Sequence, residues 1–282
     1  MLNRSYIKTI LVFAFCIYAL MPIFYLVLAA TKTTTDIYST FGLWIGRENA
    51  FWDNLAELFS TRHSIFLIWM RNSLFYSLSI SVFATAFATS AAYAFSKFDF
   101  PGRRILYGVT LGAVMVPATV TVMPLYLLMA DIGLLGSPLS IILPQLVFPL
   151  GVFLMKAYID QAISNELIDA ARIDGAGEGR IFLSIILRLI VPGMVTVLLL
   201  TFVASWNNFF LPLVMVSDSG QMPVTVGLAG WFQQANVGGQ TAEVRVPTVF
   251  AGAMIGTLPT ILLFLFMQRF WQGGLGAGGV KA

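Results

Sequence analysis

Two clusters of residues in this 282-residue chain have the types and spacing to do something specific. The first is Asn165 to Arg180, NELIDAARIDGAGEGR, a polar run in a sequence that is 58% hydrophobic. Ser164 or Asn165 suits a helix N-cap, which places Glu166 and Asp169 in or near the first turn, where negative charge complements the helix dipole. Leu167, Ala170, Ala171 and Asp174 then fall at helical spacing on one side, and Gly175 is placed to end the helix in a left-handed conformation. Such a segment docks, either on a protein partner or as an amphipathic loop helix on a membrane surface. The second cluster is Trp206, Asn207 and Asn208, whose ring face and amides within an apolar run could meet a ligand; hydrogen bonding between helices is the competing use.

Other chemistries lack a full set of residues. No glycine is followed by lysine, so there is no GxxxxGK[ST] phosphate loop, and any ATP must be handled by another chain. Gly175, Gly177 and Gly179 lack the GxGxxG spacing of a dinucleotide site. His63 is the sole histidine and Cys16 the sole cysteine, which leaves no metal constellation, no nucleophile and base pair, and no intrachain disulfide.

The elements that must position these clusters are membrane-spanning helices. Only 10% of residues are charged, against roughly 25% in a soluble domain. Six stretches free of Lys, Arg, Asp and Glu are predicted to span: Thr9 to Thr31, Asn72 to Ser96, Ile105 to Ala130, Ile132 to Met155, Leu189 to Ser217 and Val246 to Gln268. Each exceeds the ~20 residues a helix needs, and their continuity excludes the alternating pattern of a β-barrel. The expected fold class is therefore all-α integral membrane. Ser219 to Ala242 is equally free of charge but too rich in Gln and Gly to span. The first span follows Arg4 and Lys8, yet its 23 residues exceed a signal-peptide core of about 7 to 15, so it is expected to be retained. Pro117, Pro124, Pro144, Pro149 and Pro259 interrupt the spans, and Gly108 with Gly112 and Gly252 with Gly256 form GxxxG pairs suited to close helix approach.

Eleven Lys and Arg residues fall on the side of the two termini and five on the other, so both termini and the 165–180 segment are expected to be cytoplasmic. The net charge of +3 follows from this asymmetry and gives no reason to expect a nucleic-acid partner. The expected organisation is a first helix and long external loop over 1–71, with an interfacial helix at Trp52 to Phe59, then a core of five helices over 72–282 with a polar loop at about 159–184. The spans hold no ionisable group, which weakens a proton-coupled carrier but leaves sodium coupling open. A secondary carrier driven by an ion gradient is the alternative reading, and a membrane hydrolase is disfavoured.

Asp169-Ala170-Ala171 followed by Asp174-Gly175 resembles the EAA motif of permease subunits in bacterial ABC importers. YAFSKFDFPGR from Tyr93, PLYLL from Pro124, Gly133-Leu134-Leu135, SWNNFFLPL from Ser205 and the tail from Gly274 to Ala282 are similar to carbohydrate importers of the maltose-type permease family. The resemblance covers most of the chain after Arg71. It implies a coupling helix formed by Glu166, Asp169, Ala170, Ala171, Asp174 and Gly175 that docks on a cytoplasmic ATPase. It also implies a heterodimer with a second permease subunit, two ATPase subunits that bind ATP and Mg, an extracytoplasmic solute-binding protein, and a carbohydrate or related polyol as substrate. The chain itself would hold no cofactor and have no enzymatic activity, and would sit in the bacterial cytoplasmic membrane. Two departures stand out: the usual Glu is Asp169, and the proline expected in a later element is Arg188, which leaves Pro192 to bend the fifth span.

Overall fold

Backbone polar groups in lipid must be satisfied within their own segment or by a neighbour, so an apolar chain of this kind folds as helices. The computed structural model describes residues 4–238 and 242–275, and among these there is no strand. The helices are α1 (Arg4–Thr31), α2 (Thr34–Ser39), α3 (Phe51–Ser60), α4 (Ile65–Lys97), α5 (Arg103–Val114), α6 (Ala118–Asp131), α7 (Pro138–Gln145) and α8 (Pro149–Ala162). They continue with α9 (Asn165–Ile173), α10 (Glu178–Arg180), a π-helical stretch Ile181–Ile186, α11 (Leu187–Leu189), α12 (Val191–Trp206), α13 (Phe210–Met215), α14 (Val224–Val237) and α15 (Val246–Leu275). The tail cited in the resemblance lies outside the described residues from 276 onward.

Among the described residues, three helices are long and apolar enough to cross a membrane alone: Lys8–Thr31, Ile65–Lys97 and Val246–Phe270. Three further candidates are bent pairs: α5 with α6 at 106°, α7 with α8 at 40°, and Glu178–Leu189 with α12 at 78°. The runs Ile105 to Ala130, Ile132 to Met155 and Leu189 to Ser217 are thus each broken, the first two beside prolines expected to interrupt them. Pro117, Pro149 and Pro192 sit at or beside the start of a new helix, where a missing N–H costs nothing, and these positions mark the breaks. Pro124, Pro144 and Pro259 lie inside helices.

The chain forms two compact units, Met1–Met70 with Val226–Leu258 and Arg71–Thr225 with Pro259–Ala282. In the first, the buried Lys32 ammonium donates to Thr40 Oγ1 at 2.9 Å and to the Phe41 carbonyl at 3.0 Å. Asn54 of α3 donates to the carbonyls of Ala30 and Lys32 at 2.9 and 3.0 Å, which fixes the connection after α1. Trp52 of α3 is exposed. Within the run Ser219 to Ala242, too rich in Gln and Gly to span, Val224–Val237 form α14; Gly227 lets that helix approach the Trp69 ring so closely that a Cβ there would lie 2.2 Å from it.

The second unit holds both polar clusters. Its core packs Ala88, Ala92 and Tyr93 of α4 against Met155 and Ile159 of α8, Ile168 and Ala171 of α9, and Ile181, Ile186 and Ile190 beyond. Gly151 lets α8 approach Ala88 and Val197, and an added Cβ would meet Val197 at 3.0 Å. Of the expected GxxxG contacts, Gly252 meets Leu228 and Leu58, whereas among the described residues nothing outside their own helix lies within 4 Å of a Cβ at Gly108 or Gly112.

Candidate functional site

The breaks of three helix pairs in the second unit converge on one cavity of about 810 Å³. Its wall takes Val114 and Val116 from the α5–α6 break, Gln145 and Val147 from the α7–α8 break, and Asn207 and Asn208 from the turn between α12 and α13. Interrupted helices expose backbone that tolerates water, and such interruptions in membrane proteins line binding cavities. The described lining is chiefly apolar, with hydroxyls from Thr119, Thr121, Thr201 and Ser205, and contains no ionisable residue.

Asn208 donates through Nδ2 to Gln145 Oε1 at 3.0 Å, while its own carbonyl accepts from Thr225 Oγ1 at 3.0 Å. Gln145 Nε2 in turn donates to the Ile141 carbonyl at 2.9 Å. Asn207 is exposed to the cavity side of the turn and donates back to the Val203 carbonyl at 2.9 Å. Trp206 does not join them: it is buried, stacked on Phe202 with ring centres 5.7 Å apart, and is not part of the cavity wall. Gln145 escaped the sequence reading. Its signal was an amide between Pro144 and Pro149 inside an apolar run.

The polar cluster from Asn165 to Arg180 is built by a complete pair of caps. Ser164 Oγ accepts from the Leu167 N–H at 3.4 Å, and Gly175 takes φ 81°. At the C-terminal end the Ala176 N–H reaches the Ala171 carbonyl and the Gly175 N–H the Arg172 carbonyl, both at 3.0 Å, the bonding of a Schellman motif. Arg172 holds the segment together by donating to Asp169 Oδ1 at 3.1 Å and to Glu178 Oε1 at 2.7 Å. The Glu178 contact first, then Asp169, pushes the Arg172 guanidinium further up from its ordinary range. The Glu166 carboxyl is held below the usual carboxylate range by its own backbone N–H and by the Ser164 hydroxyl.

The inward face of α9 is Ile168 and Ala171, whereas Leu167, Ala170 and Ile173 are exposed, Ile173 at 86%. The face expected from spacing, Leu167, Ala170, Ala171 and Asp174, is therefore divided between the two sides, and Asp174 is the C-cap. Beyond Gly177 the chain restarts as α10 and the wider π-helical turn, then bends at Ile190, with Pro192 in the first turn of α12 and Arg188 exposed. Among the described residues no group of three or more His, Cys, Asp or Glu is placed to hold a metal.

The sequence matches the family described as "binding-protein-dependent transport system inner membrane component" over residues 84–273. It is 32% identical over 271 residues to the arabinooligosaccharides transport system permease protein of Halalkalibacterium halodurans, a match covering 95% of this chain and 94% of that one. It is also 32% identical over 266 residues to the trehalose transport system permease protein of Mycobacterium tuberculosis, covering 94% and 93%. A solved chain from a bacterial ABC transporter involved in the import of the acidic polysaccharide alginate superposes with a TM-score of 0.81 at 24% identity, over 95% of this chain and 98% of that one, and so shares its fold. The apolar helices broken around an uncharged cavity, the capped polar helix beside them and these matches agree: the chain belongs to the binding-protein-dependent transport system inner membrane components, multi-pass permease subunits that are not themselves ATPases.

Proposed function

We propose that this chain is one of two different permease subunits of an ABC importer for an uncharged carbohydrate, with the cavity at the helix breaks forming part of the path. The observation that carries the reading is the cavity's composition: amides, hydroxyls and apolar walls without an ionisable group. Such a surface can satisfy sugar hydroxyls, whereas a desolvated carboxylate would lack a cation. The relatives named for arabinooligosaccharides and trehalose support a sugar substrate. Trp206 then serves as packing beneath the path rather than as a contact.

In this reading the chain crosses the bilayer six times with both termini and α9 in the cytoplasm, and residues 72–282 make the permease core after the first helix and external loop of 1–71. A solute-binding protein delivers sugar from outside. Two ATPase subunits bind ATP and Mg, and α9 with its flanks, about 159–184, docks on one of them. Glu166, Asp169, Ala170, Ala171, Asp174 and Gly175 shape that contact, to which the exposed Leu167 and Ile173 add apolar surface. Closure of the ATPases would bias the cavity between inward-open and outward-open states, which requires differential affinity of nucleotide and sugar for the two. The second permease subunit is supported by α1, where the most apolar window has none of its residues buried, and by the open faces of Gly108 and Gly112.

The test is reconstitution. With its ATPases and binding protein, the complex in proteoliposomes should take up at least one of arabinotriose, trehalose or maltotriose on ATP, and not an oligouronate. The chain alone should neither hydrolyse ATP nor accumulate any of them on a sodium or proton gradient. Gradient-driven uptake by the isolated chain would establish the secondary carrier in its place.

A further inference from the structure

Lys97, the last residue of α4, stands where three helices meet. Its Nζ donates to the Ile163 carbonyl at 2.7 Å and to Asn165 Oδ1 at 3.0 Å. Ile163 is the C-cap of α8 and Asn165 the first residue of α9, so one ammonium ties α4 to both. The neighbouring Ser96 donates to Asp160 Oδ1 of α8 at 2.5 Å, and Asp160 is paired with Lys156 at 2.6 Å. Around these groups lies a polar cavity of about 330 Å³, lined by Ser96, Lys97, Asp99, Arg103, Asn165 and Asp169 among others. At this junction the hydrogen bonds add to the apolar packing of Ala92 and Tyr93 on Ile168 and Ala171.

The position is informative because stability of α9 alone does not favour it. A cation near the N-terminus of a helix opposes the dipole, although the same charge suits the C-terminal ends of α4 and α8. Apolar faces such as Ile168 and Ala171 can slide on their neighbours, whereas two charge-assisted hydrogen bonds from one ammonium fix a position and a direction. We infer that Lys97 is a positioning residue that locks α9 to the end of α4, so that displacement of α9 moves the wall of the cavity instead of rocking the loop. This rests on the coupling role proposed for α9.

The experiment uses the assembled importer in proteoliposomes, with Cys16→Ala and a reporter cysteine, Val147→Cys, in the exposed α7–α8 break of the cavity wall. In the otherwise unaltered complex, ATP with vanadate should raise labelling of the reporter by an impermeant maleimide from the outer side about tenfold, the size of a shift from mostly closed to mostly open. Lys97→Met should abolish that rise while ATP hydrolysis persists, and Lys97→Arg should restore it. Asn165→Ala, which keeps the Ile163 bond, should reduce it partway and serves where Lys97→Met does not assemble. A full rise in Lys97→Met and Asn165→Ala, with the rise lost in Gly175→Val, overturns the role of Lys97 alone. A full rise in Gly175→Val as well overturns the coupling role of α9, and this inference with it.

Discussion

Asn208 and Gln145 face each other at 3.0 Å in a largely apolar wall, and what either amide does depends on the other. Replacing one with leucine leaves its partner unsatisfied, at a cost of about 1–3 kcal/mol, so both variants should lower the melting temperature of the purified complex modestly. If the pair opens to receive sugar hydroxyls, Asn208→Leu should also raise KM for uptake about tenfold, ~1.4 kcal/mol, with a smaller change in kcat. An unchanged KM would assign the pair to helix packing. Trp206→Ala should instead cost about 3–5 kcal/mol of stability through the cavity it leaves beside Phe202, with no specific effect on KM. Glu166 carries a pH signature. Because its carboxyl is depressed on folding, its contribution is present above the unfolded value and is lost as pH falls through the folded one. Hydrogen exchange at the α9 amides should therefore quicken below the ordinary carboxylate range, and Glu166→Gln should remove that dependence.

Helix α9 was readable from sequence because its boundaries depend on local chemistry: a serine to cap the start and a glycine free to take φ 81° at the end. Gly175→Val should consequently cost about 1–2 kcal/mol in the loop while the chain still inserts, since among the described residues nothing lies within 4 Å of a Cβ there and the penalty is backbone strain. Binding-protein-stimulated ATP hydrolysis and uptake should fall with it, and normal uptake by a well-expressed Gly175→Val complex would leave α9 a surface helix. The breaks in the spans were not readable in the same way. Hydropathy is blind to a bend, and the same residue type ends one helix and continues through another: Pro149 opens α8, whereas Pro144 lies inside α7. Whether a proline breaks a helix depends on whether a neighbour or water donates to the carbonyl it frees, which is tertiary information. Likewise α14 forms from a Gly- and Gln-rich run because Gly227 fits against Trp69, a contact across some 150 residues that no local pattern announces.

For the whole chain, the placement of charge sets the final constraint. Lys and Arg cluster eleven to five, with Lys97, Arg103, Arg172 and Arg180 around the α4–α5 turn and α9, while Lys32, Arg47, Arg62, Arg71 and Arg245 lie on connections assigned to the opposite side. Moving the first group across a bilayer would be resisted by the rule that retains basic loops in the cytoplasm, and the coupling role proposed for α9 requires the same side. The two arguments are independent, one electrostatic and one mechanical, so a single experiment bears on both. In intact cells and a Cys16→Ala background, Asp174→Cys should stay unlabelled by an impermeant maleimide and become reactive once the membrane is permeabilised. Gln234→Cys, on the exposed face of α14, should react without permeabilisation. Position 174 labelling from outside would invert the topology and detach α9 from any cytoplasmic ATPase, whatever its caps and its exposed Ile173 suggest.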